Sequence, residues 1–187
     1  DVLAVLECAV QEPSRRIHVE AQRDETKRRM GTTLSVLVLL GRFAYVAHVG
    51  DSRIYLVRDG RVEQVTEDHT IGNELVRLGV VTADQLGNVP RSNAITRAVG
   101  IYAHVEVDTL TVEVLPSDQF VLASDGLAGY LDEGDEDLSQ WLTDDEGERA
   151  VRALVHYAKD RGGKDNITCV LVRLGAGDLS DSVRAKR

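Results

Sequence analysis

Apolar and polar positions alternate with two different periods along this 187-residue chain. From about Val2 to Arg29 they recur at helical spacing, with Leu3, Leu6 and Val10 on one face and a charged stretch from Arg15 to Arg29 behind them. The pattern predicts a helix that Pro13, which has no amide proton to donate, breaks or kinks. After Gly31-Thr32-Thr33 the apolar run Leu34–Leu40 predicts a buried strand. Gly41-Arg42 predicts a tight turn, and Phe43–Val49 a second strand ending at Gly50-Asp51-Ser52. Arg53–Val57 reads as a third strand, Asp59-Gly60 as a hairpin turn and Arg61–Val65 as the returning strand. Together they predict an antiparallel meander.

The segment 67–97 breaks this rhythm. It holds two short helical pieces, Ile71–Leu78 and Thr82–Leu86, the second opened by the capping box Thr82-Ala83-Asp84-Gln85, and it reads as an insertion lying over the sheet. Val105–Val114 is strand-like. Pro116-Ser117-Asp118 turns the chain into the strand Phe120–Ala123, which ends at Ser124-Asp125-Gly126. A capping box at Thr143–Glu146 predicts a helix burying Val151, Leu154, Val155 and Ala158, stopped by Gly162-Gly163. A last strand runs from Asn166 to Leu174, and 176–187 reads as a flexible tail. Meanders with helices gathered before and after them predict an α+β layered fold, not alternating βαβ units. Residues 1–175 are expected to form one domain.

Composition narrows the functions. Apolar residues make up 43% and aromatics only 4%, so a core is affordable but must be built from Val, Leu, Ile and Ala. The formal charge of −9 argues against nucleic acid or an anionic membrane as a partner. It suits a protein that collects divalent cations, although from charge alone a plain acidic surface is the favoured reading. Cys8 and Cys169 are far apart with no CxxC pair, which argues against a cysteine zinc site and suits a reducing, cytoplasmic setting. No apolar run approaches the roughly 20 residues of a membrane helix. No signal peptide is visible, and a start at Asp1 leading straight into apolar sequence reads as truncated or processed.

Three acidic clusters carry candidate chemistry: Val49-Gly50-Asp51-Ser52-Arg53, Ala123-Ser124-Asp125-Gly126-Leu127 and Gly162-Gly163-Lys164-Asp165-Asn166-Ile167. Each aspartate stands at the end of an apolar strand or the start of one, where a carboxylate needs hydrogen-bond donors or a cation. Neighbouring glycines let backbone approach a ligand closely. Aspartates converging at one end of a sheet offer hard oxygen ligands for Mg²⁺ or Mn²⁺. Any one of them alone reads rather as a turn aspartate capping a strand or loop.

Taken in order, these clusters and their neighbours resemble the type 2C, metal-dependent Ser/Thr protein phosphatase (PPM) family, in its bacterial branch. The resemblance rests on Gly31-Thr32-Thr33-Leu34, Val49-Gly50-Asp51-Ser52-Arg53-Ile54-Tyr55-Leu56 and Thr66-Glu67-Asp68-His69. It continues in Ile95-Thr96-Arg97-Ala98-Val99-Gly100, Leu122-Ala123-Ser124-Asp125-Gly126-Leu127 and Gly163-Lys164-Asp165-Asn166-Ile167-Thr168. It implies an antiparallel β-sandwich flanked by helices in α-β-β-α layers, and hydrolysis of phosphoserine or phosphothreonine by a water bridged between two metal ions. It also implies roles. Asp125 and Asp165 match ligands of one core metal. Asp51 matches the ligand of a third, weaker metal that Asp125 would share. The segment Asp68 to Arg97, read with its flank as 67–97, matches a mobile flap over the substrate groove.

The resemblance also exposes a gap. Family members carry an Arg with an acidic residue, and a glycine-rich motif whose Asp bridges the core metals, before the equivalent of Gly31-Thr32-Thr33. This chain has neither, so it resembles an N-terminally truncated family domain, expected to be impaired or inactive alone. Exposed sheet edges would favour a homodimer or strand exchange. His69 reads as a structural flap residue, Arg53 as pairing with a carboxylate, and Thr66, Asp68 and Asn166 as turn residues supporting the ligands. Ser124 and Gly126 flank the Asp125 match, and Ser124 is placed to orient it. His48 reads as core or interface, His18, His104 and His156 as surface, and Trp141 as packing. Three functions follow: a phosphoprotein phosphatase domain, a non-catalytic pseudophosphatase or partner-binding module with the same fold, and a structural metal-binding domain.

Overall fold

A computed structural model describes residues 1–132, 138–142 and 146–175. The expected tail at 176–187 and the capping box at 143–145 lie outside the described residues. The elements are α1 (Val2–Arg23), β1 (Leu34–Leu40), β2 (Phe43–Val49), β3 (Arg53–Arg58), β4 (Arg61–Gln64), α2 (Ile71–Arg77), β5 (Asp108–Glu113), β6 (Gln119–Ala123), α3 (Asp125–Asp132), α4 (Leu138–Trp141), α5 (Gly147–Asp160) and β7 (Cys169–Arg173). Single 3₁₀ turns occupy Glu25–Lys27 and Ala83–Asn88.

The strands form two sheets, as the family resemblance implies, and not the single meander that strand periodicity alone predicts. β1-β2-β5 make a three-stranded sheet and β4-β3-β6-β7 a four-stranded one in which every neighbouring pair is antiparallel. The break falls at Gly50-Asp51-Ser52, where Gly50 takes φ +113°. Strand periodicity carried the reading across that turn because the β3–β4 hairpin does form, with Asp59 and Gly60 both at positive φ. β1 is not the buried strand its apolar run predicts. It lies at a sheet edge and is only half-buried, with Leu39 and Leu40 exposed.

The chain divides into two compact units. In the first (1–38, 45–51 and 67–111), α1 packs Val10, with Leu6 and Ile17, against Ala47, Val49, Val99 and Val105. Pro13 does not break α1, which is continuous across it. Side chains facing the loop 100–105 fasten the helix. The Gln11 side chain bonds both the amide and the carbonyl of Val105. The Ser14 hydroxyl donates to Tyr102 O and accepts from Gly100 N. His18 is half-buried rather than a surface residue, its Nδ1 3.1 Å from Ile101 O.

In the second unit (39–44, 52–66 and 112–187), Tyr55, Val57, Val121 and Ala123 of the four-stranded sheet pack on Leu127 and Ala128 of α3 and Leu154 of α5. Ile54, Leu56 and Phe120, on the opposite face of that sheet, are buried too. The buried face of α5 is Ala150, Leu154, Tyr157 and Ala158, while Val151 and Val155 sit only half-buried. The face turns because Tyr157 is drawn in: Trp141 meets it edge-on at 5.5 Å, and Arg161 lies over its ring. Trp141 therefore packs as expected.

Candidate metal centre

The site is built in the second unit by two backbones that touch. β6 ends at Ala123, opposite Cys169 of β7. Beyond it Ser124 continues the ladder, donating its amide to Thr168 O (3.1 Å). The Ser124 hydroxyl donates to Asn166 O and accepts from Thr168 N, each at 2.9 Å. These three bonds hold 165–168 against the end of β6. Gly126 completes the approach. A Cβ there would stand 2.4 Å from Asn166 O and 3.2 Å from the carbonyl carbon of Asp165, so only a residue without a side chain fits.

Asp125 and Asp165 flank this contact. Each bonds through Oδ1 to the next amide, Gly126 N at 2.8 Å and Asn166 N at 2.7 Å. Both side chains are exposed, and among the described residues neither forms a salt bridge. A carboxylate with an oxygen left over from its backbone bond and no cationic partner is the kind of hard oxygen donor that a divalent ion takes. The residues fit such an ion incompletely. Among the described residues no group of three or more His, Cys, Asp or Glu could hold one. Mg²⁺ tolerates this better than most metals, since it keeps several waters and takes one or two carboxylates.

The first unit positions Asp51, Asp68 and His69. Asp51 follows the Gly50 turn and is half-buried. Asp68 and His69 are buried at the start of the segment 67–97. The ends of that segment are laced together: Thr70 bridges Ile95, Thr96 N donates to His69 O (2.8 Å), and Ile71 N donates to Ala94 O (2.9 Å). Its predicted cap holds, with Gln85 Oε1 accepting from Thr82 N (3.0 Å). In the second unit, Arg53 opens β3, its Nη1 3.2 Å from the Tyr55 hydroxyl. Buried Thr66 accepts from Ile54 N.

Residues that the sequence reading left out of the site are charged and interlocked. Arg97 Nη1 donates to Asp108 Oδ1 (2.7 Å), and Asp108 Oδ2 lies 3.0 Å from His69 Nε2. Burial pushes the Asp108 carboxyl up, but its bonds to His69 and Arg97 outweigh this and hold it below the usual carboxylate range. The motif Ile95–Ala98 signalled Arg97, whereas nothing around Asp108 marked it. Arg97 also lines, with Arg29, Thr32, Thr33, Thr96 and His104, a cleft of about 490 Å³ in this unit.

His48 is fully buried, its ring 4.9 Å from that of His69. Burial, reinforced by repulsion from His69, lowers its pKa from 6.5 to about 4. The folded protein therefore resists protonation that the unfolded chain accepts. Stability is full above pH 6.5 and falls as pH drops toward 4, by about 3 kcal/mol across the window. Denaturation midpoints measured between pH 7 and 4 should show this loss, and an NMR titration should find His48 neutral at pH 5.

Comparison with known proteins agrees with the motifs. The sequence model of protein phosphatase 2C matches residues 1–167. Protein phosphatase PhpP of Streptococcus pneumoniae is 37% identical over 165 residues, covering 88% of this chain and 66% of PhpP. Serine/threonine phosphatase stp of Listeria innocua is 36% identical over 169 residues, covering 89% of this chain and 66% of its own length. The chain thus spans just under two thirds of these relatives. Among solved structures, the Mycobacterium tuberculosis serine/threonine phosphatase PstP/Ppp superposes with a TM-score of 0.85 at 32% identity, covering 94% of this chain and 73% of that one. A PstP catalytic domain in complex with two manganese ions superposes at 0.80 with 31% identity, covering 93% and 72%. With its mixed helices and antiparallel sheets, its ordered motifs and these likenesses, the chain belongs to the protein phosphatase 2C family.

Proposed function

We propose that the chain is the greater part of a phosphoprotein phosphatase domain that hydrolyses phosphoserine or phosphothreonine monoesters, with Asp125 and Asp165 holding one Mg²⁺ or Mn²⁺ and Asp51 serving a further, weaker ion. The observation that supports this reading is the backbone contact at Gly126 and Asn166, which brings together the two loops that bear Asp125 and Asp165, neither of them in a salt bridge among the described residues. A bound divalent ion supplies electrophilic activation for attack of water on the phosphate ester. The chain's own residues fix the ligands. Ser124 and Gly126 hold the two backbones together, and the Asn166 amide orients the Asp165 carboxylate. Segment 67–97 acts as a flap, with His69 and Asp68 at its root. The domain comprises 1–175. Its two free cysteines suit a reducing, cytoplasmic setting. Among the described residues no helix is long and apolar enough to cross a membrane.

With only two carboxylates at the centre among the described residues, the 187-residue chain alone is expected to be a weak phosphatase. The incomplete donor set among the described residues favours, as a second reading, a non-catalytic partner-binding module. The exposed apolar edge of β1 suits pairing with a second copy. Hydrolysis of p-nitrophenyl phosphate and a phosphothreonine peptide with and without Mn²⁺ separates the readings. A low Mn²⁺-dependent rate abolished by Asp125→Ala supports the phosphatase. Rates equal to those of the longer relatives would refute the expected impairment. Mn²⁺ binding without any hydrolysis would favour the module.

A further inference from the structure

We infer that His48 and His69 are positioning residues for the Asp51 carboxylate, and that His69 couples it to segment 67–97. This rests on the reading of Asp51 as a metal ligand. The hydrogen bonds around Gly50 carry the inference. Gly50 N–H donates to His69 Nδ1 (3.0 Å). Gly50 O accepts from the His69 backbone amide (2.8 Å) and faces His48 Nε2 at 3.0 Å. A carbonyl only accepts, so His48 carries its proton on Nε2, and its Nδ1 accepts from the Ser35 hydroxyl (2.9 Å). An amide N–H only donates, so His69 carries its proton on Nε2 and gives it to Asp108 Oδ2 (3.0 Å). Arg97 Nη1 also lies 3.2 Å from that nitrogen, but both groups carry hydrogens there, and their shared acceptor Asp108 sets the approach.

Two backbone groups thus fix two imidazole tautomers, and the imidazoles fix the backbone in return. The Gly50 carbonyl belongs to the peptide plane that leads into Asp51. With both its groups held, and with φ at +113° where a Cβ would meet Thr33 Cγ2 at 2.3 Å, the turn admits little freedom in where the Asp51 side chain starts. The imidazole of His69 also faces the other way. Its Nε2 meets Asp108, which Arg97 at the end of the segment grips, and its backbone carbonyl takes the Thr96 amide (2.8 Å). Both ends of segment 67–97 therefore converge on the residue that holds Gly50. Displacing the segment releases Gly50 N–H, and by reciprocity an ion that orders Asp51 favours the docked segment.

The test uses the ¹⁵N-labelled 187-residue chain, with Mg²⁺ titrated against the amide shifts of Asp51 and Asp165 and hydrogen exchange read at Gly50 and Thr96. His69→Leu is expected to expose the Gly50 amide to exchange and to weaken the Mg²⁺ response at Asp51 about tenfold, leaving that at Asp165 unchanged. His69→Asn, whose Oδ1 replaces the Nδ1 acceptor, should restore the response at Asp51 while losing the link to Asp108, so that Thr96 exchanges faster. A packing role alone would rank the variants the other way, because leucine fills the buried site better. An unchanged Asp51 response in His69→Leu overturns the inference while the metal reading stands. If His69→Leu fails to fold, Asp108→Ala decides: faster exchange at Thr96 and Gly50 supports the coupling, and unchanged exchange overturns it. No Mg²⁺ response at either amide in the wild type overturns the metal reading and the positioning role together.

Discussion

Gly126→Ala is expected to destabilise the chain by about 2 kcal/mol and to weaken Mn²⁺ affinity by at least about tenfold. The methyl group would stand 2.4 Å from Asn166 O, a backbone atom that cannot rotate away. Overpacking of this kind costs up to about 3 kcal/mol. The substitution also lies in α3, where alanine gains about 1 kcal/mol over glycine, and the difference sets the net figure. Relief of the clash must part the strand-end loops, drawing Asp165 away from Asp125 and stretching the Ser124 bonds to Asn166 and Thr168. The affinity figure follows what loss of ligand support typically costs. The same helix provides a control. A Cβ at Gly129 meets nothing within 4 Å, so Gly129→Ala should stabilise the chain by up to about 1 kcal/mol and leave metal affinity alone. Urea denaturation of the two variants measures the contrast.

Asp118→Ala is expected to be the more damaging substitution, at about 3 to 5 kcal/mol. Asp118 is 1% exposed. Arg58 binds it through two nitrogens, Nε to Oδ1 at 2.8 Å and Nη2 to Oδ2 at 2.7 Å. Arg58 Nη2 reaches on to Glu113 O, and Asp118 Oδ2 accepts from Leu115 N. Removing the carboxylate strands the guanidinium and an amide, which costs more than the pair contributes when intact. Burial raises the Asp118 pKa, but the Arg58 bond, the Leu115 amide and the Arg58 charge outweigh it and hold the pKa below 3.8. A carboxyl held low in the folded state contributes stability above its unfolded pKa and loses it as pH falls through the folded one. The wild type should therefore shed this contribution only below about pH 4, and Asp118→Ala should flatten that limb of the acid denaturation curve.

Asp118 also shows what the sequence concealed. Pro116-Ser117-Asp118 reads as a turn, and Ser117 indeed takes φ +72°. Nothing local announces that Asp118 will meet an arginine 60 positions earlier. Strand positions were legible because apolar runs and Gly turns are local signals. The division into two sheets was not legible in those local signals, since it depends on which strands pair, and came only with the family resemblance. α3 was missed for a related reason: Gly126 and Gly129 lower its helix propensity, and the tertiary contact that requires Gly126 lies 40 residues further on. On α5 the apolar pattern found the helix but not its rotation, because burial of Tyr157 is decided by Trp141. The aspartates were legible as strand-end residues flanked by Gly. Their partners were legible only in part: Ser124 and Gly126 lie beside Asp125, whereas Asp108 carries no signal of its own.

If Asp125 and Asp165 together hold a divalent ion, removing both charges must abolish its binding. Calorimetric titration of Mn²⁺ into the wild-type chain and into Asp125→Asn/Asp165→Asn, which preserves shape and removes charge, tests it most directly. A binding isotherm is expected for the wild type and its loss in the double variant. Equal Mn²⁺ affinity in the two proteins would contradict it.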